Sequence, residues 1–162
     1  MREILSYIKI LVKLAIPLAL LKMEELIQLR ESITAGNYTQ ALQIIDELEE
    51  MSVEDKLNKI YSYMVILLLH LIKQQAEKKT TRSWKNSILN SVEQINRVNK
   101  RRKSGGYYAK AETLREIIDE AFPRALRDAA LEAFGGVYEE EELLTKIDIA
   151  QIKQEAIHLL DN

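Results

Sequence analysis

The sequence contains no cysteine, and this absence excludes several chemistries. Without cysteine there is no disulfide, no thiolate nucleophile and no Cys-ligated metal or iron–sulfur cluster. Glycine and proline are scarce too, with five and two residues in a chain of 162. A fold of many strands and turns needs more of both, so composition favours helices. A chain of this length can bury a core of its own as one domain.

Histidine is almost as rare, with two residues in the chain. Glu155 and His158 are spaced like one ligand pair of a di-iron four-helix bundle, but such a site needs a second pair. His70 cannot supply it, because Leu67 stands three positions before it. We therefore expect no metal and no cofactor. His70 as a catalytic base would need a nucleophile such as Ser62 or Ser83, and no motif places either one beside it.

The glycine pairs do not form a phosphate-binding loop. Gly105-Gly106 and Gly135-Gly136 lack both the downstream Lys-Ser/Thr and the flanking strand of such a loop. We expect each pair to end a helix, as glycine commonly does.

The net charge of −2 hides a strong asymmetry. Residues 73–103 carry ten basic and two acidic side chains, a local charge of +8, so the remainder sums to −10. The acidic residues concentrate in 46–55 and 139–142. The basic segment either binds something anionic or pairs with the protein's own acidic faces, and the second interpretation is favoured.

Residues 1–22 are apolar and basic, and three interpretations remain open. Residues 4–21 are mostly apolar but include Lys9, Lys13 and Pro17, and the uninterrupted apolar run Leu14–Leu21 is too short to span a membrane. The segment is an amphipathic helix, a leader produced by starting translation upstream of Met23, or a membrane-surface anchor. A small-x-small cleavage site for a signal peptide is missing. We expect a membrane contact only through these residues.

Residues 23–162 are predicted to form a single all-α domain. Its fold is a helical bundle of about six or seven helices around a long buried central helix. That helix is predicted over Val53–Glu77, because its apolar residues recur at helical spacing and surround it completely between Tyr63 and Leu69.

Cap residues predict the ends of the helices before and after this central helix. Gly36-Asn37 is a stop signal, and Thr39 is a candidate cap for a helix bearing an apolar face of five residues (Ala41, Leu42, Ile44, Ile45 and Leu48). Ser52 with Asp55 resembles a capping box for the central helix. Ser83 is a candidate cap for the next one.

The C-terminal third of the chain predicts three further helical stretches. One begins near Ala109, and Pro123 within it marks a kink or a new helix start. Two short helices follow over Glu139–Lys146 and Ile149–Leu160. Asp148 gives the second of these a capping-box start.

Two groups of residues are candidates for interaction. At the end of the fourth helix lie four basic residues and two tyrosines: Lys100, Arg101, Arg102, Lys103, Tyr107 and Tyr108. Lysine and arginine can neutralise phosphates, and tyrosine can stack on bases. Two observations argue against nucleic-acid binding. The isoelectric point is about 5.8, and the helix dipole by itself favours basic residues at the C-terminal end of a helix.

The second group is His70, Lys73, Arg82, Ser83 and Trp84. Trp84 is the only tryptophan, heads an apolar stripe, and is expected to anchor the fourth helix against the central one.

These residues carry a family resemblance. The order Tyr63-Met64-Val65-Ile66-Leu67-Leu68-Leu69-His70-Leu71-Ile72-Lys73, then Arg82-Ser83-Trp84, then Asn99-Lys100-Arg101-Arg102-Lys103, resembles a bacterial family abundant in cyanobacteria, domain of unknown function 29. The resemblance covers about Met23 to the C-terminus. It implies an all-helical, cytoplasmic domain without an assigned activity or assigned site residues. Residues 1–22 lie outside it, which favours the upstream start.

The sequence does not decide the function, but it ranks the classes. A non-enzymatic interaction or regulatory module comes first, with another protein or a second copy of the chain as its partner. A nucleic-acid-binding or toxin-neutralising protein using residues 73–103 comes second. An enzyme comes third, because no residues can be placed around His70 to act with it.

Overall fold

A computed structural model describes residues 18–101 and 105–161, with six α-helices and no strand among them. The interpretations of residues 1–17, and the sites at Arg102 and Lys103, lie outside the described residues. The helices are α1 (Leu18–Thr34), α2 (Tyr38–Glu77), α3 (Arg82–Asn99), α4 (Ala111–Glu132), α5 (Glu140–Leu144) and α6 (Ile149–Leu160). The all-α prediction is confirmed.

The chain divides between Val53 and Glu54 into two compact units. The described part of the first consists of α1, a short turn and the beginning of α2. The predicted boundary between residues 22 and 23 lies inside α1.

The turn between α1 and α2 is built around Gly36. Its backbone is left-handed, with φ at +71°, which glycine adopts without a steric cost. The N–H of Asn37 donates to the carbonyl of Ser32, and that of Gly36 donates to Ile33, so the last carbonyls of α1 are satisfied. The predicted helix stop is confirmed.

Asn37, and not the predicted Thr39, caps α2. Its Oδ1 accepts the backbone N–H of Gln40 at 3.2 Å, and its Nδ2 donates to the Gln40 side chain at 3.0 Å. The capping box predicted at Ser52 and Asp55 is also wrong, because α2 continues through both residues to Glu77. No glycine or proline interrupts this stretch, so nothing forces a new helix to begin there.

The second unit packs around the part of α2 that follows Glu54. Ile60, Met64, Leu67, Leu68 and Ile72 are fully buried there, as predicted for a central helix. Burial does not extend all the way round, since the Ile66 side chain is 41 % exposed. Helices α3 to α6 contribute apolar residues to the same core cluster as this part of α2, among them Ile88, Ile95, Ile118, Leu126, Leu143 and Ile152.

The C-terminal helices follow the sequence prediction closely. Helix α4 runs through Pro123 without ending, so no new helix begins at that proline. Helix α6 has the predicted bounds, and Asp148 caps it by accepting the N–H of Gln151 at 3.0 Å. Helix α4 contacts both α5 and α6. None of the helices in the described ranges is long and apolar enough to cross a bilayer.

Candidate functional site

Lys73 links three helices at one point, near the end of α2. The residue is 6 % exposed, yet its Nζ lies 2.7 Å from Glu132 Oε2 on α4. The same Nζ lies 4.5 Å from the ring centroid of Trp84 on α3, within the range of a cation–π contact. Glu132 thus neutralises the buried ammonium group, and the ring of Trp84 lies against it. Such partners are needed because an unpaired charge is costly to bury.

A second ion pair lies beside the first. Lys79 pairs with Glu77 and approaches the Trp84 ring at 5.7 Å. Glu77 Oε1 also accepts the backbone N–H of Phe134 at 2.9 Å. The hydrogen bond from Lys79 and then that from Phe134 lower the pKa of Glu77, against the opposing effect of burial. We call Lys73, Glu77, Lys79, Trp84 and Glu132 the Trp84 node.

Trp84 takes this position because of a cap that the sequence prediction misassigned. Thr81, and not Ser83, caps α3, and its Oγ1 accepts the N–H of Trp84 at 3.1 Å. Ser83 and Arg82 are exposed on the first turn of α3. The structure therefore brings Lys73 and Trp84 into contact, while Arg82 and Ser83 face solvent.

His70 lies one turn before Lys73 and is half-buried. Burial, and then the charge of Lys73, lower its pKa, while Glu132 acts in the opposite direction. Its Nδ1 is buried and has no hydrogen-bond partner among the described residues. The hydroxyl of Ser62, one of the two candidate nucleophiles, donates a hydrogen bond to the backbone carbonyl of Asn58. The Ser62 hydroxyl is thus engaged within its own helix, and Ser83 is exposed on α3.

The other candidate group lies in the loop between α3 and α4. Asn99 is buried, and its side chain bonds both the N–H and the carbonyl of Ala109, at 2.6 and 2.9 Å. Lys100 and Tyr107 pair as an isolated antiparallel bridge, and both are exposed. The Arg101 guanidinium lies 5.1 Å from the ring centroid of Tyr108, so this cation is engaged within the loop.

A cleft of about 420 Å³ opens beside this loop. Lys100, Tyr107 and Lys110 line it together with Asn96, and Asp161 contributes an acidic side chain. Neither lysine has an ion-pair partner among the described residues. The cleft can accept an anionic group, although Asp161 opposes one.

The structure shows one surface that the sequence prediction missed, on the unit before Glu54. Large apolar side chains of α1 and α2 are 41–67 % exposed there. On α1 they are Leu20, Met23, Leu26, Ile27 and Ile33, and on α2 they are Tyr38, Leu42 and Ile45. We call these eight residues the apolar stripes.

The sequence carried a signal for this surface. The apolar face predicted for the helix after Thr39 contained five positions. A helix that packs against a single neighbour buries fewer positions than this over the same length. In the structure Ala41 and Ile44 are buried, whereas Leu42 and Ile45 are exposed. The width of the predicted apolar face was the observable sign that part of it stays exposed.

Within the described residues no three His, Asp or Glu side chains are grouped to hold a metal ion. No curated protein and no solved structure matches the chain. The family model described as domain of unknown function DUF29 matches residues 24–154, a span that includes the Trp84 node and all of the apolar stripes except Leu20 and Met23. The chain therefore belongs to the DUF29 family.

Proposed function

We propose that this chain is a non-enzymatic protein-interaction module that binds its partner through the apolar stripes of α1 and α2. The observation that supports this most directly is the exposure of all eight stripe residues. Monomeric proteins rarely expose clustered large apolar side chains, and where they do the surface commonly binds a partner. We place this function in the cytoplasm, the compartment that the family resemblance implies.

The Trp84 node has a structural role in this proposal. Its two lysines are paired with Glu132 and Glu77, and both lie over Trp84. These cations are therefore used within the fold and are not offered to an external anion. This pairing supports the interpretation in which part of the basic segment neutralises the protein's own acids.

Affinity purification of the tagged full-length chain from its native cell tests the proposal. Leu26→Ser with Leu42→Ser should remove the co-eluting partner, because both side chains lose their apolar contact area. Leu131→Ser with Val137→Ser is the matched control, since both residues are exposed leucine or valine on the other unit.

The comparison of the three preparations decides the outcome. Circular dichroism establishes that each variant keeps its helix content. A protein that co-elutes with the wild type and the control, but not with the stripe variant, supports the proposal. The same proteins recovered from all three, or no specific protein from any, would contradict it.

A second candidate function is nucleic-acid binding at the cleft beside Lys100. Lys100 and Lys110 have no ion-pair partner in the described ranges, and Tyr107 offers an exposed ring. Fluorescence anisotropy with a labelled single-stranded oligonucleotide tests it. Lys100→Gln with Lys110→Gln should weaken binding more than the control, Lys56→Gln with Lys59→Gln. No binding at low salt would end this candidate.

A further inference from the structure

We propose that the apolar stripes bind a basic amphipathic helix of a partner protein. This inference rests on the proposed function and adds the chemistry of the partner. Its basis is the charge around the stripes. Residues 18–53 carry seven acidic and two basic side chains, a net charge of −5, whereas residues 54–162 sum to +1. The described part of the unit that exposes the stripes is therefore acidic, and the whole unit, residues 1–53, has a net charge of −3.

On α1 the acidic residues border the apolar surface directly. Glu24 follows Leu20 by four residues, and Glu31 follows Ile27 by four. Residues four apart are neighbours on the surface of a helix. All four side chains are exposed, and neither carboxylate has an ion-pair partner among the described residues. Within the described residues both glutamates are thus unpaired at the edge of the α1 stripe.

The same arrangement recurs on α2. Asp46 follows Leu42 by four residues, and Glu49 follows Ile45 by four. These side chains are exposed as well, and the two carboxylates also lack an ion-pair partner in the described part of the chain. Each stripe therefore has two apolar positions followed one turn later by an acid, whereas Leu26 on α1 is followed one turn later by the exposed Arg30.

This pattern specifies the chemistry of its ligand. An amphipathic helix places apolar residues every three or four positions into a surface of this kind, and the residues beside them meet its edge. Lysine or arginine at those edge positions would pair with the exposed carboxylates, whereas glutamate or aspartate would be repelled. Charge at such an edge guides association and selects the partner, while the apolar contact supplies most of the affinity.

The charge also argues against a second copy of this chain as the occupant. A twofold contact places the same surface on both sides of the interface. Two acidic edges would then face each other, and like charges opposed across an interface are unfavourable. Anionic membranes and nucleic acids are disfavoured at this surface for the same reason.

Peptide titration of the full-length chain tests the inference. The probe is an 18-residue amphipathic helix of leucine and lysine, and its control has glutamate at every lysine position. Fluorescence anisotropy should show binding of the Leu/Lys peptide that weakens as salt rises, and no binding of the Leu/Glu peptide. Leu26→Ser with Leu42→Ser should abolish binding of the Leu/Lys peptide.

Charge variants locate the binding surface. Glu24→Gln with Glu31→Gln should weaken the binding of the Leu/Lys peptide by about threefold to tenfold, the range expected for the loss of two exposed ion pairs. The matched control is Glu116→Gln with Glu120→Gln, which removes two exposed acids from α4. An equal loss of affinity in both variants would overturn the inference, because it would show attraction to acidic helices in general.

The remaining outcomes separate this inference from the proposed function. Equal binding of both peptides at the stripes would overturn the charge argument and leave the protein-interaction proposal standing. If neither peptide binds, the basic helix is overturned as the occupant, while the affinity purification still decides the proposed function. Self-association that Leu26→Ser with Leu42→Ser abolishes would identify a second copy as the occupant and overturn the inference.

Discussion

The amide oxygen of Gln75, on α2, accepts the backbone N–H of Asp148, the cap residue of α6. The Gln75 Nε2 donates to Gln151 Oε1 at 2.9 Å. In an ordinary capping box the side chain three residues after the cap bonds the cap's own N–H. Here Gln75 takes that role from another helix, so the start of α6 is tied to the end of α2.

Gln75→Ala is therefore expected to destabilise the protein by about 0.5–2 kcal/mol, the range for loss of a helix cap. Amide exchange should accelerate at the start of α6, because the N–H of Asp148 loses its partner. Gln154→Ala, which truncates an exposed glutamine on α6, is the matched control and should change stability little. Equal effects in urea denaturation would show that Gln75 does not cap α6.

The contact between Lys73 and Trp84 can be isolated by a double-mutant cycle. Lys73→Met keeps the apolar stem and removes the charge, and Trp84→Leu removes the aromatic face. The effects of the two changes on the free energy of unfolding should be non-additive by about 1 kcal/mol. This value lies between the energy of a solvent-exposed cation–π contact and that of a fully desolvated one, because Lys73 is largely buried.

The control cycle pairs Lys85→Met with Trp84→Leu. Lys85 is exposed on α3 and makes no cation–π contact with the tryptophan ring. These two changes should be additive in the free energy of unfolding from chemical denaturation. A coupling as large as that between Lys73 and Trp84 would show that the first cycle measured a general effect of losing the ring.

Gly136 and Gly135 offer a matched pair for the turn after α4. Both have a left-handed backbone, with φ at +76° and +74°. A Cβ at Gly136 would lie 2.9 Å from the carbonyl oxygen of Leu131, whereas one at Gly135 would meet nothing within 4 Å. Gly136→Ala therefore adds a backbone clash to the strain that both substitutions share.

We expect Gly135→Ala to cost about 1 kcal/mol, the usual cost of a left-handed residue with a side chain, and Gly136→Ala to cost more. Thermal unfolding of the two variants provides the comparison. A Gly136→Ala protein as stable as Gly135→Ala would mean that the turn relaxes enough to remove the contact with Leu131.

Cap residues and apolar periodicity predicted those parts of the fold that are determined by residues close together in the sequence. The bounds of α6 follow from Asp148 and from apolar residues at helical spacing, and they match the structure. The buried centre of α2 follows from the density of apolar residues between Met64 and Ile72. In both places the cap or the periodicity has no close competitor in the sequence.

Helix starts were harder to predict, because several residues can cap the same helix. Asn37 and Thr39 are two positions apart, as are Thr81 and Ser83, and all four are residue types that cap helices. Thr81, which caps α3, has an extended backbone, and the sequence does not show which of two candidates will adopt it. Ser52 failed for a related reason, because serine is tolerated inside a helix when packing favours continuation.

Tertiary contacts were outside the reach of sequence patterns. Lys73 and Glu132 are 59 residues apart, and nothing local marks Glu132 as the partner of a buried lysine. The sequence did single out Lys73 and Trp84 together, because both belong to the family signature. It favoured internal pairing of the basic segment, but it did not identify Glu132 and Glu77 as the acidic partners of the two lysines in the Trp84 node.

His70 should make stability depend on pH in a window below its ordinary pKa. Burial and then Lys73 lower the folded-state pKa of His70 from 6.5, so the unfolded chain binds a proton before the folded protein does. The free energy of unfolding should therefore be highest above pH 6.5 and fall as pH decreases toward the folded-state pKa.

Urea denaturation across this range should show the decline in the wild type and a flatter profile in His70→Gln. Lys73→Met provides a second check, since removing the neighbouring positive charge raises the folded-state pKa and reduces the decline. A His70→Gln protein with the full wild-type slope would show that another group titrates, and that the buried Nδ1 is not what makes protonation of the folded state unfavourable.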